Sequence, residues 1–493
     1  MRIPKRTRAV LSTCAGLALL ATSACQSGGY GAAGTDLVTV APKWIKGAQM
    51  LAERAESGGV RVSIESPSVP GARTFTSELR TIMAETQTDF LTGGKSEGDA
   101  ELDQKATFLA ATSEVLGARV VSSRTTATGT EKTGTTRWYD TAKDVVLPWT
   151  ALFSDEASAT VAGAETARRL REQHGVDEDE LPAGLPTVSP EEPELPASPL
   201  TVSPKSAEAL ARKLAGSPLD DIGFTSSGAL AVNFSPGEIP GHDEEVRVVF
   251  SNEGTDPLLS EFGTLVRDAA KTKPEHKVDL GGSDADALLA PGLDCSRVPC
   301  VALTFDDGPG QYTEGVLDEL EKYSARATFF VLGSMVREMP GVVERAAKAG
   351  HEIGNHTWDH ADLSGVSDSG VRKDLARTAD AIEKAAGVRP AVMRPPYGSY
   401  DEGTLKAIGM PAILWDVDTM DWQSRDTKKI TDIALKQAAE GSIVLMHDIH
   451  EPSAKALPGI LSALHRKGYH FVTVSELFGE GGMKSAMAYL RRE

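Results

Sequence analysis

From Cys295 onward the sequence predicts a parallel α/β sheet or barrel, preceded by a region of mixed helical and strand patterns. Two observations carry the first part. Short apolar runs (VALTF, HEIGN, AILWDV, SIVLM) alternate with helical patterns such as TEGVLDELEKYS and GVVERAAKAG. In SGVRKDLARTADAIEKAAG, Val371, Leu375, Ile382 and Ala386 fall close to one helical face. Parallel strands need a crossover between them, usually a helix, so this alternation points to a parallel sheet.

The elements before it follow in order. At 493 residues the chain exceeds one ordinary core, and two or three domains are expected. Arg2, Lys5, Arg6 and Arg8 precede an apolar run over 9–21 that is too short to span a bilayer as a stable helix. Residues 1–24 therefore read as a secretory signal peptide. Thr22, Ser23 and Ala24 before Cys25 resemble a bacterial lipobox, which makes Cys25 the expected lipidation site and 25–37 a tether. The expected location is secreted, lipid-anchored to the outer face of the bacterial cytoplasmic membrane.

LAERAESGG looks helical, while VRVSIES and ARVVSSRTTATG alternate as strands do. Residues 38–175 and 205–268 are expected to form the N-terminal domain. Between them 176–204 is acidic and rich in proline, with LPTVSP and PLTVSP as a partial repeat, and reads as a linker. A second linker spans 269–294. The catalytic unit is placed at 295–479, with 480–493 as a tail. A net charge of −19 disfavours nucleic acid and anionic lipid as partners, leaving the membrane reachable through the anchor alone. Cys14 leaves with the signal peptide, so Cys295 and Cys300 remain. In an oxidising compartment that pair favours a small disulfide over a zinc site, which lacks two further ligands nearby.

Reactive side chains follow the apolar runs of the last third. Asp306 and Asp307 follow VALTF; His356 and His360 follow HEIGN. Arg394 opens RPPYG, DTMDW follows AILWDV, and His447 follows SIVLM. In parallel α/β folds the C-terminal strand ends form the active-site rim. Two histidines four apart with one carboxylate make an open His₂–carboxylate face that suits zinc and admits Co²⁺ or Mn²⁺. One aspartate would bind metal and the other would take a proton from water, while His447 could protonate a leaving group. HEIGNH has one residue too many between its acid and second histidine for a zinc protease helix. His351 and His450 read as surface or packing histidines.

In this order the fragments closely resemble the five motifs of the polysaccharide deacetylases, the NodB-homology domains of carbohydrate esterase family 4, over about 296–478. The resemblance implies a distorted (β/α) barrel with fewer units than a full eightfold one. It makes Asp306 the general base and Asp307, His356 and His360 the ligands of a divalent metal. It implies that Arg394 holds Asp306, that the Tyr397 backbone N–H assists oxyanion binding, and that Asp418 orients His447, the general acid. Trp422 and Leu445 would line the acetyl pocket, and Pro396 would also bind substrate. Parts of 38–268 resemble the extracytoplasmic domain of the anti-sigma factor RsiV, implying a smaller α+β domain whose ligand is unknown. The expected function is deacetylation of a polysaccharide, first N-acetylglucosamine in peptidoglycan. Chito-oligosaccharide deacetylation and acetyl-xylan esterase activity are the alternatives within the same chemistry. A wall-sensing lipoprotein with an inactive barrel is the alternative outside it.

Overall fold

The computed structural model describes residues 36–93, 99–185, 195–282, 292–479 and 481–493. The signal peptide and Cys25 lie outside the described residues, as do 186–194 and 283–291 of the two expected linkers. Among the described residues no helix is long and apolar enough to cross a membrane.

The N-terminal unit is built on a six-stranded sheet in sequential order: β1 (Gln49–Ser57), β2 (Val60–Ser68), β3 (Ala100–Ala111), β4 (Val115–Thr126), β5 (Gly129–Asp140) and β6 (Val145–Pro148). LAERAESGG, expected to be helical, is instead most of β1, because it pairs along its length with β2. All neighbours are antiparallel except β2 and β3, whose parallel pairing requires the crossover helix Arg73–Thr92. That helix buries Phe75, Leu79, Met83 and Phe90, with Phe75 stacked 6.5 Å from Phe108 of β3. Each such burial contributes about 1.5–3 kcal/mol. A small antiparallel sheet, β7 (Ile222–Phe224), β8 (Leu230–Phe234) and β9 (Val246–Val249), shares the same apolar core, which runs from Leu37 to Ala270. The two predicted segments therefore form one α+β unit.

The expected linkers are less free than their composition suggests. Leu181, Leu195 and Val202 pack against the N-terminal core, and Leu200 exchanges hydrogen bonds with Ser154 and Glu261. In the second linker Val278 bridges Ile45, and Lys46 pairs with Asp279 at 2.8 Å. A few apolar side chains anchor each end of a polar segment.

The C-terminal unit is a distorted (β/α) barrel. Its parallel strands run β12 (Glu352–Asn355), β11 (Thr328–Val331), β10 (Cys300–Asp306), β15 (Ile443–His447) and β14 (Val417–Asp418), with β16 (His470–Phe471) beside the start of β10. Met393 bridges Asn355 on one side and Ala412 of β13 (Ala412–Ile413) on the other. The expected C-terminal tail is in fact part of the barrel: β17 (Ala488–Tyr489) pairs with β13, and Arg492 N–H donates to Gly441 O at 2.9 Å. Two residues of strand carry too little periodicity to announce themselves in sequence. Cys295 and Cys300 are joined by a disulfide at the entry to β10.

The helix Asp368–Ala386 shows how these crossovers are specified. Ser367 caps its first turn by accepting from Gly370 N–H, Val371, Leu375, Ala379 and Ile382 form its buried face, and Gly387 ends it at φ 71°. The two units meet at the strand starts. Glu78 and Glu85 hold Arg297, Thr88 bonds His470, and Ser57 bonds Ser462. That face is opposite the rim where the strands end.

Candidate active site

Strand register sets the first contacts of the site. Asp306 ends β10 directly beside His447 at the end of β15. Adjacent strand residues point to opposite faces, so Asp307 would normally turn away from its neighbour. Its left-handed φ of 71° breaks the alternation. Both carboxylates consequently reach His356: Asp306 Oδ2 at 3.8 Å and Asp307 Oδ1 at 3.5 Å from Nε2. Thr357, His360, Tyr397, Met420 and Arg425 are also non-glycine residues with positive φ, and all belong to loops at this rim. Sparsely populated backbone conformations of this kind cluster at functional sites because the surrounding structure must hold them.

Asp307, His356 and His360 converge so that their ligand atoms lie within 4.8 Å of one another. The His356 Nδ1–H donates to Arg394 O at 2.7 Å, which leaves the Nε2 lone pair facing inward. His360 Nε2 lies 3.4 Å from Asp307 Oδ1, and that buried oxygen has no hydrogen-bond partner. Burial holds His360 below the usual imidazole range, in its neutral form, despite Asp307. Burial alone would raise the Asp307 pKa, and its nearness to His356 first, then to His360 and His447, brings it below the carboxylate range. Inward lone pairs and an unpartnered carboxylate oxygen fit a divalent cation with N/O ligands.

Asp306 is held from behind. Arg394 is fully buried and spends its guanidinium on Asp306 Oδ1 (2.8 Å), Thr304 Oγ1 (2.8 Å), Ile413 O (3.0 Å) and Leu414 O (2.8 Å). It also lies over the rings of Phe330 (4.3 Å) and Trp415 (5.4 Å). Such a buried cation needs its full set of partners, so its position and that of Asp306 are mutually fixed.

His447 pairs with Asp421, not with Asp418 as expected from DTMDW. The imidazole Nδ1 is 2.8 Å from Asp421 Oδ1, the His447 N–H donates to Oδ2 at 2.7 Å, and Ser453 Oγ donates to Oδ2 at 2.6 Å. Asp418 instead accepts from Met420 N–H at 2.8 Å and from the Trp422 indole at 3.5 Å. The reason is local. Met420 at φ 55° reverses the chain after β14, and the short helix Asp421–Ser424 carries Asp421 into the core beneath His447. Burial disfavours a charged imidazole, but the Asp421 hydrogen bond and charge, with Asp306 and Asp307 beyond, push its pKa up to about 9.

The remaining expected residues fall around this centre. Tyr397 sets its ring edge-on to His360, with centroids 4.5 Å apart, and is largely exposed. Pro396 and Leu445 are buried, and Trp422 is half-exposed at the rim. His351 is a packing residue, accepting from Ala327 N–H at 3.2 Å. His450 packs beside the centre, its ring centroid 5.9 Å from that of His447. Asp448, which follows His447 after SIVLM, is a buried acid. Burial raises its pKa to about 7, and Thr313 Oγ1 donates to it at 2.5 Å.

The family model for polysaccharide deacetylases matches residues 294–412. Peptidoglycan-N-acetylglucosamine deacetylase PgdA of Listeria monocytogenes is 46% identical over 181 residues, 36% of this chain and 39% of its own length. The chain thus matches about two fifths of that relative. Peptidoglycan-N-acetylmuramic acid deacetylase PdaC of Bacillus subtilis is 45% identical over 178 residues, 36% of this chain and 38% of its own length. A peptidoglycan-N-acetylglucosamine deacetylase of Bacillus cereus is 40% identical over 186 residues, 36% of this chain and 87% of its own length. On that nearly full-length match and on the five strand-end motifs gathered at one rim, this chain belongs to the polysaccharide deacetylase family.

Proposed function

We propose that this protein is an exported, metal-dependent deacetylase that removes acetyl groups from N-acetylglucosamine of peptidoglycan. The observation that carries the reading is the unpartnered Asp307 oxygen facing two imidazole nitrogens, flanked by an Asp306–Arg394 pair and a His447–Asp421 pair. A divalent ion held by Asp307, His356 and His360, zinc by its donor set, supplies Lewis acidity toward the acetyl carbonyl and the attacking water.

The chain's own residues handle the protons. Arg394 occupies one oxygen of Asp306, leaving the other toward the site to accept the proton of the attacking water. As the carbon–nitrogen bond breaks, His447 gives its Nε2 proton to the departing amine; Asp421 on Nδ1 keeps that ring protonated and oriented. Acetate and a free amino sugar result. Arg2, Lys5, Arg6 and Arg8, the apolar run after them and Cys25 support export and lipid anchoring. The N-terminal unit docks on the face opposite the rim, which suits a module that positions the enzyme at the wall and leaves the site open.

Acetate release from purified peptidoglycan, chito-oligosaccharides and acetylated xylan, compared side by side, tests the reading. Peptidoglycan should be the preferred substrate, chelation should abolish release, and zinc should restore it. Release confined to xylan or chitin would overturn the substrate and leave the chemistry. No release from any substrate by zinc-loaded protein would leave an inactive wall-binding barrel.

A further inference from the structure

The turn that carries Trp422 ends in a cation that the proton transfers leave unused. Arg425 closes the helix Asp421–Ser424, its N–H donating to Asp421 O at 3.3 Å, and its φ of 50° turns the chain off the helix. The residue is exposed, and its guanidinium takes part in none of the ion pairs or side-chain hydrogen bonds seen among the described residues.

The charge of Arg425 reaches His450. After burial, the charge of Arg425 is the largest influence holding that imidazole neutral, and Asp421, His447 and Asp307 are also within its electrostatic reach. His450 in turn lies against His447, with ring centroids 5.9 Å apart. Arg425 thus closes the helix that carries the exposed Trp422 and the buried Asp421, and His450 lies beside His447. Arg425 offers a fixed charge with a planar fork of N–H donors; His450 offers a ring nitrogen.

We infer that Arg425, together with His450, forms a subsite for a carboxylate of the substrate next to the acetamide that is cleaved. The inference rests on the peptidoglycan reading, because that glycan carries lactyl and peptide carboxylates, whereas chitin is neutral. A chain with a net charge of −19 repels an anionic strand, and an exposed cation with no partner among the described residues, on the helix that carries Trp422, offsets this. Guanidinium–carboxylate pairing also adds direction to the attraction.

The test uses full-length, zinc-loaded protein and the ratio of kcat/KM on a carboxylated to a neutral substrate, which cancels any loss of folded enzyme. The substrates are peptidoglycan glycan strands, carboxymethylated chito-oligosaccharides and unmodified chito-oligosaccharides. In Arg425→Gln the ratio should fall about three- to tenfold, mostly through KM, and Arg425→Lys should recover most of it. Added salt should lower the wild-type ratio more than that of the variant. Cleavage of peptidoglycan with an Arg425-independent ratio overturns the subsite and leaves the substrate reading standing. Failure on peptidoglycan with an Arg425-dependent preference for carboxymethylated oligomers does the reverse.

Discussion

At the C-terminal ends of the barrel strands His447 faces Asp421 at 2.8 Å, and its pKa is pushed up to about 9. At the opposite ends, against the N-terminal unit, His470 meets Thr88 Oγ1 at 2.9 Å and His465 meets the Gln87 amide at 3.1 Å. Burial pushes both of these down to about 4. His351, near the start of β12 and bonded to a backbone N–H, is pushed down to about 3 by burial and by Arg326 and Arg345. All four rings are buried or nearly so. What separates a proton donor from a packing group is the partner: a carboxylate at the rim, a hydroxyl, amide or peptide at the base.

The largest expected effect lies at the rim. Asp307→Ala, His356→Ala and His360→Ala each remove bound zinc and nearly all activity while circular dichroism and the unfolding midpoint stay close to wild type, because an open three-ligand site has no spare ligand. Retained zinc and turnover in His356→Ala would break the assignment.

Next in size are the proton transfers. Asp306→Asn keeps the metal but loses rate, and His447→Ala does likewise; general acid–base catalysis is typically worth about 10²–10⁴-fold. A general acid must be protonated, so wild-type activity falls as pH rises through the His447 pKa of about 9, and His447→Ala flattens that alkaline limb.

The pairing of His447 with Asp421 gives a sharper and smaller test. Asp421→Asn should bring the alkaline limb down toward the ordinary imidazole value of about 6.5 and cost about 10–100-fold at neutral pH. Asp418→Asn should leave the limb in place. A limb that moves with Asp418 and not with Asp421 would contradict the contacts described above.

The smallest effect belongs to the base, and it has the opposite sign. His465 and His470 have folded pKa values below that of the unfolded chain, so the unfolded state binds more protons between about pH 6.5 and 4. Their contribution is present in full above about pH 6.5 and is lost as pH falls toward 4. Replacing both with Leu should flatten the stability curve over that window. Loss of their hydrogen bonds should cost about 1–3 kcal/mol at pH 7, with kcat unchanged. Urea midpoints measured at pH 7.5 and 4.5 would show it; a changed kcat would mean that the base communicates with the rim.

The sequence by itself determined the parallel strand-and-helix order and the strand-end position of each reactive residue, and it left open which of Asp306 and Asp307 joins the two histidines. Periodicity, capping residues and four-residue spacing are local, and short segments suffice to read them. Val371, Leu375 and Ile382 mark a helix face wherever that helix is packed, and His356 and His360 share a loop. Other features were decided by tertiary structure. Asp418 and Asp421 stand in one motif, and which of them meets His447 depends on a left-handed Met420 and on the room beneath β15. The tail became β17 because β13 offered it an edge. These outcomes depend on contacts between residues far apart in the chain, whose geometry no local pattern encodes.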